Sequence, residues 1–251
     1  MDIKRIHLAT VDSTSNFARK LLDGNEYADE IVMIDADDQT AGRGQRGNSW
    51  ETEDGKNVIF SLICHPSWLR PAQQYVLSEA IALAVVEVLR RNVSSVDAQK
   101  MSVKWPNDIY YGDKKISGTL IECDLFGRSV SNCIVGTGIN VNQQFFLSDA
   151  PNPVSLFQIT GEEHNREQVL NDVVSAFIDL YDKIEHEGSE FIHSYYKENL
   201  YRNDGGFYTY SDENGVFSAR ILDVEPSGRI ILVTEDGETR RYEFKEVKFI
   251  L

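Results

Sequence analysis

The sequence predicts an α+β fold, with strands and packed helices in one large domain and a small β-barrel at the C-terminus. Over the first two hundred residues or so, apolar runs of strand length alternate with stretches whose apolar positions recur at helical spacing. Beyond Gly206 the pattern changes to period two, with Asn214-Gly215, Ser227-Gly228 and Asp236-Gly237 as tight-turn signals. The chain's 251 residues are enough to bury a sizeable core and add an appendage. A domain over 1–202 and a second over 203–251 are therefore expected.

Ile3, Ile6, Leu8 and Val11 suggest an opening strand. Asp12-Ser13-Thr14 then supplies helix-capping chemistry, and Phe17, Ala18, Leu21 and Leu22 form an apolar stripe that stops at Gly24. The Ser13 and Thr14 hydroxyls can cap this helix or face a polar ligand at its start. A second strand over 30–36 (EIVMIDA) feeds a glycine- and arginine-rich loop, and a third covers 57–65, where Pro66 stops it. Val76, Leu77, Ala80, Ile81, Ala84, Val85, Val88 and Leu89 lie at helical spacing within 71–91, so this helix should pack across a sheet.

In 103–122, VKWPNDIYYGDKKISGTLIE, Pro106 breaks a strand, Asn107-Asp108 turns the chain and Gly112-Asp113 reads as a hairpin. The run 130–141 combines a strand with Gly136 and Gly138, which implies close approach by a ligand or by a bulky neighbour. A helical turn at 155–159, an amphipathic helix over 165–187 and a further helix over 190–200 complete the large domain.

Composition narrows the function. A formal charge of −15 disfavours non-specific attraction to nucleic acid or to an anionic membrane, so any polyanion site must be a local concentration of Arg and Lys. Cys64, Cys123 and Cys133 are odd in number and lack CxxC spacing, so neither a disulfide framework nor a zinc site is expected, and the five histidines show no metal-ligand spacing. No secretory leader and no run of about eighteen apolar residues is read, so a cytoplasmic protein with no membrane contact is expected.

The densest signal is 39–50, QTAGRGQRGNSW, with three glycines and two arginines in an otherwise acidic chain. Glycine lets backbone N–H groups approach a ligand, and Arg43 and Arg46 bring forked donors suited to carboxylate or phosphate. Gly42, Gly44 and Gly47 satisfy GxGxxG, but no helix follows and no acidic residue stands about twenty positions on, so a Rossmann site is not indicated. No GK[ST] follows either, which excludes a P-loop.

Taken together, QTAGRGQRGNSW, VKWPNDIYY with KKISGTLIE, and VGTGINV, in this order after Asp12-Ser13-Thr14, resemble the biotin protein ligases. The resemblance is close from Asp12 to about Val141 and extends to the rest in arrangement only. It implies a class II synthetase-like mixed sheet with helices on one side and an SH3-like C-terminal barrel. It also implies a two-step activity: ATP and biotin give biotinyl-5′-adenylate, and biotin passes to one lysine of a carrier domain of a biotin-dependent carboxylase.

On this resemblance Arg43 stands at the phosphate and acyl junction, Lys115 at the carboxylate and adenylate linkage, and Arg46 on phosphate. Ser13, Thr14 and Gln39 match positions that hold the ureido ring, with backbone at Gly42, Gly118 and Gly136 lining its pocket. Trp50 would lie against adenine and Asn140 would bond its edge. Lys104, Asn107 and Asp108 match KWPND, with Lys104 and Asp108 near the phosphates and the acceptor lysine, and Arg220 would face the triphosphate. Magnesium is implied by ATP, with no ligands identified. The family commonly reads STN where this chain has Ser13, Thr14, Ser15, Asn16, so the asparagine's role either passes to Ser15 or is lost. The eleven residues before Asp12 cannot supply a helix-turn-helix domain, so DNA binding is not expected, and a homodimer is left open. The rivals are a lipoate or octanoate ligase of the same fold and a non-catalytic biotin-binding module.

Overall fold

The computed structural model describes residues 3–24, 27, 30–44, 48–148 and 152–250. Strand β1 (Ile3–Val11), helix α1 (Thr14–Asp23) and strand β2 (Ile31–Gln39) form a crossover unit in which β1 and β2 pair in parallel, from Ile3 opposite Ile31 to Val11 opposite Gln39. This pairing carries β2 three residues past the expected end at Ala36. It thereby places Gln39 at the strand terminus, beside the start of α1.

After β2 come β3 (Val58–Cys64), α2 (Val76–Arg91), α3 (Ser95–Ala98), β4 (Met101–Lys104), β5 (Asp108–Tyr111), β6 (Lys114–Phe126) and β7 (Ser129–Ile139). Helices α4 (Leu156–Thr160), α5 (Arg166–Glu187) and α6 (Glu190–Glu198) close this part of the chain. The seven strands order as β1-β2-β3-β7-β6-β5-β4, antiparallel except for the first pair, so the sheet is mixed.

Side chains on β2 alternate between two cores. Ile31 and Met33 join the cluster built with α2 and α5, whereas Val32 and Ile34 pack with Ala18 and Leu21 of α1. The expectation of helices on one side is thus corrected: α1 lies on the opposite face from α2, α5 and α6, because β2 is apolar at successive positions and both of its faces need cover. Helix α2 is buried almost all round, which is why it lacks a polar face. The segment Pro71–Arg91 is in fact long and apolar enough by composition to cross a membrane, but 72% of that window is buried within the fold.

The cysteine expectation is also corrected. Cys123 and Cys133 are joined in a disulfide, facing each other across antiparallel β6 and β7. Cys64 remains a buried free thiol on the other neighbour of β7.

Strands β8 (Tyr208–Asp212), β9 (Gly215–Val224), β10 (Ile230–Thr234), β11 (Thr239–Tyr242) and β12 (Lys248–Phe249) form a separate antiparallel SH3-like sheet, ordered β11-β10-β9-β8-β12. It docks beside the Trp105 turn, where the indole Nε1 donates to the Gly228 carbonyl at 2.9 Å and the ring meets Phe244 edge-on.

Candidate active site

On the α1 side of the large sheet lies a cavity of about 820 Å³. One wall is a set of linked polar groups. The Thr14 backbone N–H and hydroxyl both donate to Gln39 Oε1, at 2.8 and 3.1 Å. Ser61 Oγ donates to Thr14 Oγ1 at 2.8 Å and lies 3.0 Å from Ser15 Oγ. Ser13 occupies the N-cap position of α1, yet its side chain makes no capping bond and stays 1% exposed at the cavity wall. The capping role open in the sequence is therefore not the one its hydroxyl takes. Ser15 lines the cavity, whereas Asn16 turns away to accept from Arg43 and donate to Asp12.

The cavity floor is glycine because protein side chains already fill the space. A Cβ on Gly136 would strike Ser15 Oγ, one on Gly138 would strike the Trp50 indole, and one on Gly118 would press on the Lys115 ammonium. Gly42 sits outside the cavity lining. Its role is packing, since a Cβ there would come within 2.5 Å of the Trp50 carbonyl and 3.0 Å of Gln39 Nε2.

Of the expected cations, Arg43, Lys104 and Lys115 line this cavity, and Arg43 and Lys115 each already have a counter-ion. Arg43 donates twice to Glu122, at 3.0 and 3.3 Å, and once to Asn16 at 2.9 Å. Lys115 Nζ pairs with Asp108 at 2.7 Å and sits 5.6 Å from the centre of the Trp50 ring. Lys104 stands on the β4–β5 edge over Tyr110 and Phe249. Burial holds its ammonium below the usual lysine range, against the opposing pull of Asp108. Burial likewise pushes the Tyr110 phenol upward.

Two buried polar atoms at the cavity have no hydrogen-bond partner: Trp50 Nε1 and Asn140 Oδ1. Asn140 spends its amide N–H on the Val154 carbonyl, so its free oxygen is an acceptor. The unmet Asn140 acceptor beside the Trp50 indole fits the exocyclic amine of a heteroaromatic ring, such as adenine, lying against that indole. Asn107 lines the same space but donates to the Thr119 carbonyl. Arg46 lies outside the described residues. Arg220 lies on β9 and does not line the cavity; the C-terminal part of the chain reaches it through Phe244, in the turn between β11 and β12.

The family described as the biotin/lipoate A/B protein ligases matches residues 8–140. The bifunctional ligase/repressor BirA of Bacillus spizizenii is 30% identical over 94% of this chain and 71% of its own length. The chain belongs to the biotin/lipoate A/B protein ligase family. Another relative, the biotin--[acetyl-CoA-carboxylase] ligase of Paracoccus denitrificans, is 32% identical over 68% of this chain and 70% of its own. The Aquifex aeolicus biotin protein ligase, solved in complex with biotin and ATP, superposes with a TM-score of 0.78 at 26% identity, covering 98% of this chain and 99% of that one.

In this ligase fold, groups at and behind the cavity wall are not marked by the sequence as belonging to the site. Ser61, behind the wall, reads in sequence as a buried strand residue, and nothing in the KKISGTLIE run marks its last residue, Glu122, as the partner of Arg43. Glu51 was equally silent. Its carboxylate accepts from the Leu147 and Ser148 backbone N–H groups at 2.8 Å each and from Gln143 Nε2 at 3.0 Å, so it ties the 143–148 segment to the residue after Trp50. Only register and loop packing, which are non-local, bring these residues to the site.

Proposed function

We propose that the chain is an ATP-dependent biotin protein ligase with domains at 1–202 and 203–251, which forms biotinyl-5′-adenylate and passes biotin to a lysine of a biotin carboxyl carrier domain. One observation carries the reading. A single cavity combines a polar wall at Ser13, Thr14 and Gln39, cations at Arg43 and Lys115, and the Trp50 indole beside the unmet acceptor of Asn140. The Paracoccus denitrificans relative is named for joining biotin to acetyl-CoA carboxylase, and the Aquifex aeolicus protein was solved with biotin and ATP, which supports the reading.

The chemistry asks a carboxylate to attack an α-phosphate, and two like charges about 4 Å apart repel by roughly 4 kcal/mol at an intermediate effective dielectric. Arg43 and Lys115 offset that repulsion, and they do so by exchanging Glu122 and Asp108 for ligand oxygens. Catalysis is then positioning and charge stabilisation with no side-chain nucleophile. Lys104, with its lowered proton affinity, stands where the acceptor lysine would enter. Mg2+ is taken to accompany the nucleotide as the counter-ion of its phosphates. A wall that offers hydroxyls and a carboxamide suits a cyclic urea better than the dithiolane of lipoate, which has no N–H or C=O to meet it.

The test is mass spectrometry of a carrier domain mixed with the protein, ATP, Mg2+ and biotin, alongside measurement of pyrophosphate. Addition of one biotin with biotin-dependent pyrophosphate release is expected. Pyrophosphate release driven by lipoate and not by biotin would overturn the substrate, and absence of any release would favour a binding module.

A further inference from the structure

From the hydrogen-bond chain behind the cavity wall, we infer that Ser61 is a positioning residue that relays the polarity of Thr14 and Gln39 to Ser15 and so keeps Ser15 an acceptor toward the ligand. The inference rests on the biotin reading and goes beyond it by setting the polarity of the site. A backbone N–H can only donate, so the Gln39 atom that receives the Thr14 N–H is an oxygen, and the carboxamide is locked with its Nε2 facing elsewhere. The Thr14 hydroxyl bonds that same oxygen and must also donate. Thr14 Oγ1 has then spent its proton, so Ser61 donates to it. Ser61 in turn has spent its own, so Ser15 donates to Ser61. One backbone N–H thereby sets the direction of three hydroxyls.

The consequence is a sorted wall. Thr14 keeps one lone pair and Ser15 keeps two, so both are acceptors toward the cavity, while Gln39 Nε2 keeps its donors. A ligand seated here must offer N–H groups to the hydroxyls and a carbonyl to the carboxamide, the arrangement of a cyclic urea. Ser61 is fully buried on β3 opposite Gly136 and does not line the cavity, so it acts through Thr14 and Ser15. Without it, Ser15 is free to turn its proton toward the ligand, and the sorting fails.

The experiment is calorimetric titration of the full chain and its Ser61→Ala variant with biotin and with a biotin methylated on one ring nitrogen, together with steady-state kinetics in ATP. Loss of one buried hydrogen bond predicts about a threefold to tenfold weaker biotin affinity in Ser61→Ala. KM for ATP and kcat at saturating biotin should stay as in the parent. The penalty for methylating the ring nitrogen should shrink in the variant, which a merely structural defect would not produce. If Ser61→Ala folds poorly, Ser61→Cys keeps the volume with a feeble donor and should behave like it in affinity, while Ser61→Thr restores the hydroxyl and the parent's preference. Biotin affinity within twofold of the parent in Ser61→Ala and Ser61→Cys, or equal losses toward biotin and ATP, would overturn the inference and leave the ligase reading standing. A parent that binds no biotin at all would overturn both.

Discussion

Replacing Gly138 by alanine separates the adenine side of the cavity from the stability of the fold. The new Cβ would lie 2.5 Å from Trp50 Nε1 and 2.8 Å from Cζ2, so one partner must retreat by about 1 Å to reach the 3.4 Å at which ordinary contact begins. Gly138 is held in β7 between β3 and β6, paired with Ile59 and Gly118, whereas Trp50 lies outside any strand or helix, so the indole is the part that moves. Overpacking of this kind costs about 1–3 kcal/mol where nothing can yield. Moving the ring also returns the partnerless Nε1 to water, which recovers about 1–3 kcal/mol. The two contributions offset, and the melting temperature should change little. The nucleotide loses a stacking partner worth about 1–3 kcal/mol, so KM for ATP should rise roughly tenfold, with biotin affinity unaffected. Initial rates in ATP, calorimetry with biotin, thermal melting and acrylamide quenching of tryptophan fluorescence provide the readout. A large loss of stability with an unchanged KM for ATP would show that the strand yields instead, and would refute the reasoning.

Three further perturbations test other parts of the site. Lys115→Ala should lower the rate of biotin adenylation by about a hundredfold or more while biotin affinity falls less than tenfold, because the charge matters most as phosphate charge develops; equal losses in calorimetry and pyrophosphate release would contradict the role. Burial raises the proton affinity of Glu51, but hydrogen bonds from the 147–148 segment and Gln143 outweigh it and hold the carboxyl below its ordinary 4.5. Its contribution is therefore present above that value and lost as pH falls through the lower folded one. Glu51→Gln should raise KM for ATP several-fold at neutral pH, and an unaltered nucleotide titration would count against the clasp. The Glu79 hydrogen bond, opposed by burial, holds His193 above its ordinary 6.5 while its other nitrogen lies 3.5 Å from Asp223 of the second sheet. That contribution is complete below 6.5 and disappears as pH rises through the folded value. Melting temperatures measured on the alkaline side of 6.5 should thus decline more steeply in the parent than in His193→Gln, and parallel slopes would remove His193 from the link between the sheets.

Much of the frame was legible because its signals are local. Val76 to Leu89 announce α2 by apolar spacing, and Asn214-Gly215 announces the β8–β9 turn by its backbone preference. The residues that converge on the cavity were legible as motifs, which is why Arg43, Lys115, Trp50 and Asn140 could be named in advance. Sequence reasoning failed wherever a partner is fixed by strand register. The disulfide joins Cys123 to Cys133 because β6 and β7 bring those positions opposite one another, and no spacing rule encodes that. The same holds for Ser61, which stands opposite Gly136 only once β3 has paired with β7. Arg220 was placed by resemblance alone and lies outside the cavity lining: an alternating strand states which residues share a face, but not which face meets the neighbouring sheet.

The pairing of the cavity's cations bears on how an acidic protein keeps an anion site usable. Arg43 and Lys115 are both partly exposed, so their bonds to Glu122 and Asp108 are screened and weak compared with buried pairs, with exposed ion pairs contributing about 0–1 kcal/mol. A polyphosphate that brings several charges at once can displace such carboxylates at small cost, whereas a lone monoanion has little with which to compete. The carboxylates thus hold the side chains in place before the ligand arrives and give way when it does. Glu122→Gln should then leave Arg43 less ordered yet more readily available, raising affinity for inorganic pyrophosphate and other small anions while slowing adenylation. Pyrophosphate inhibition curves for the variant would decide the point, because an unchanged inhibition constant would mean that Glu122 neither holds Arg43 nor competes for it.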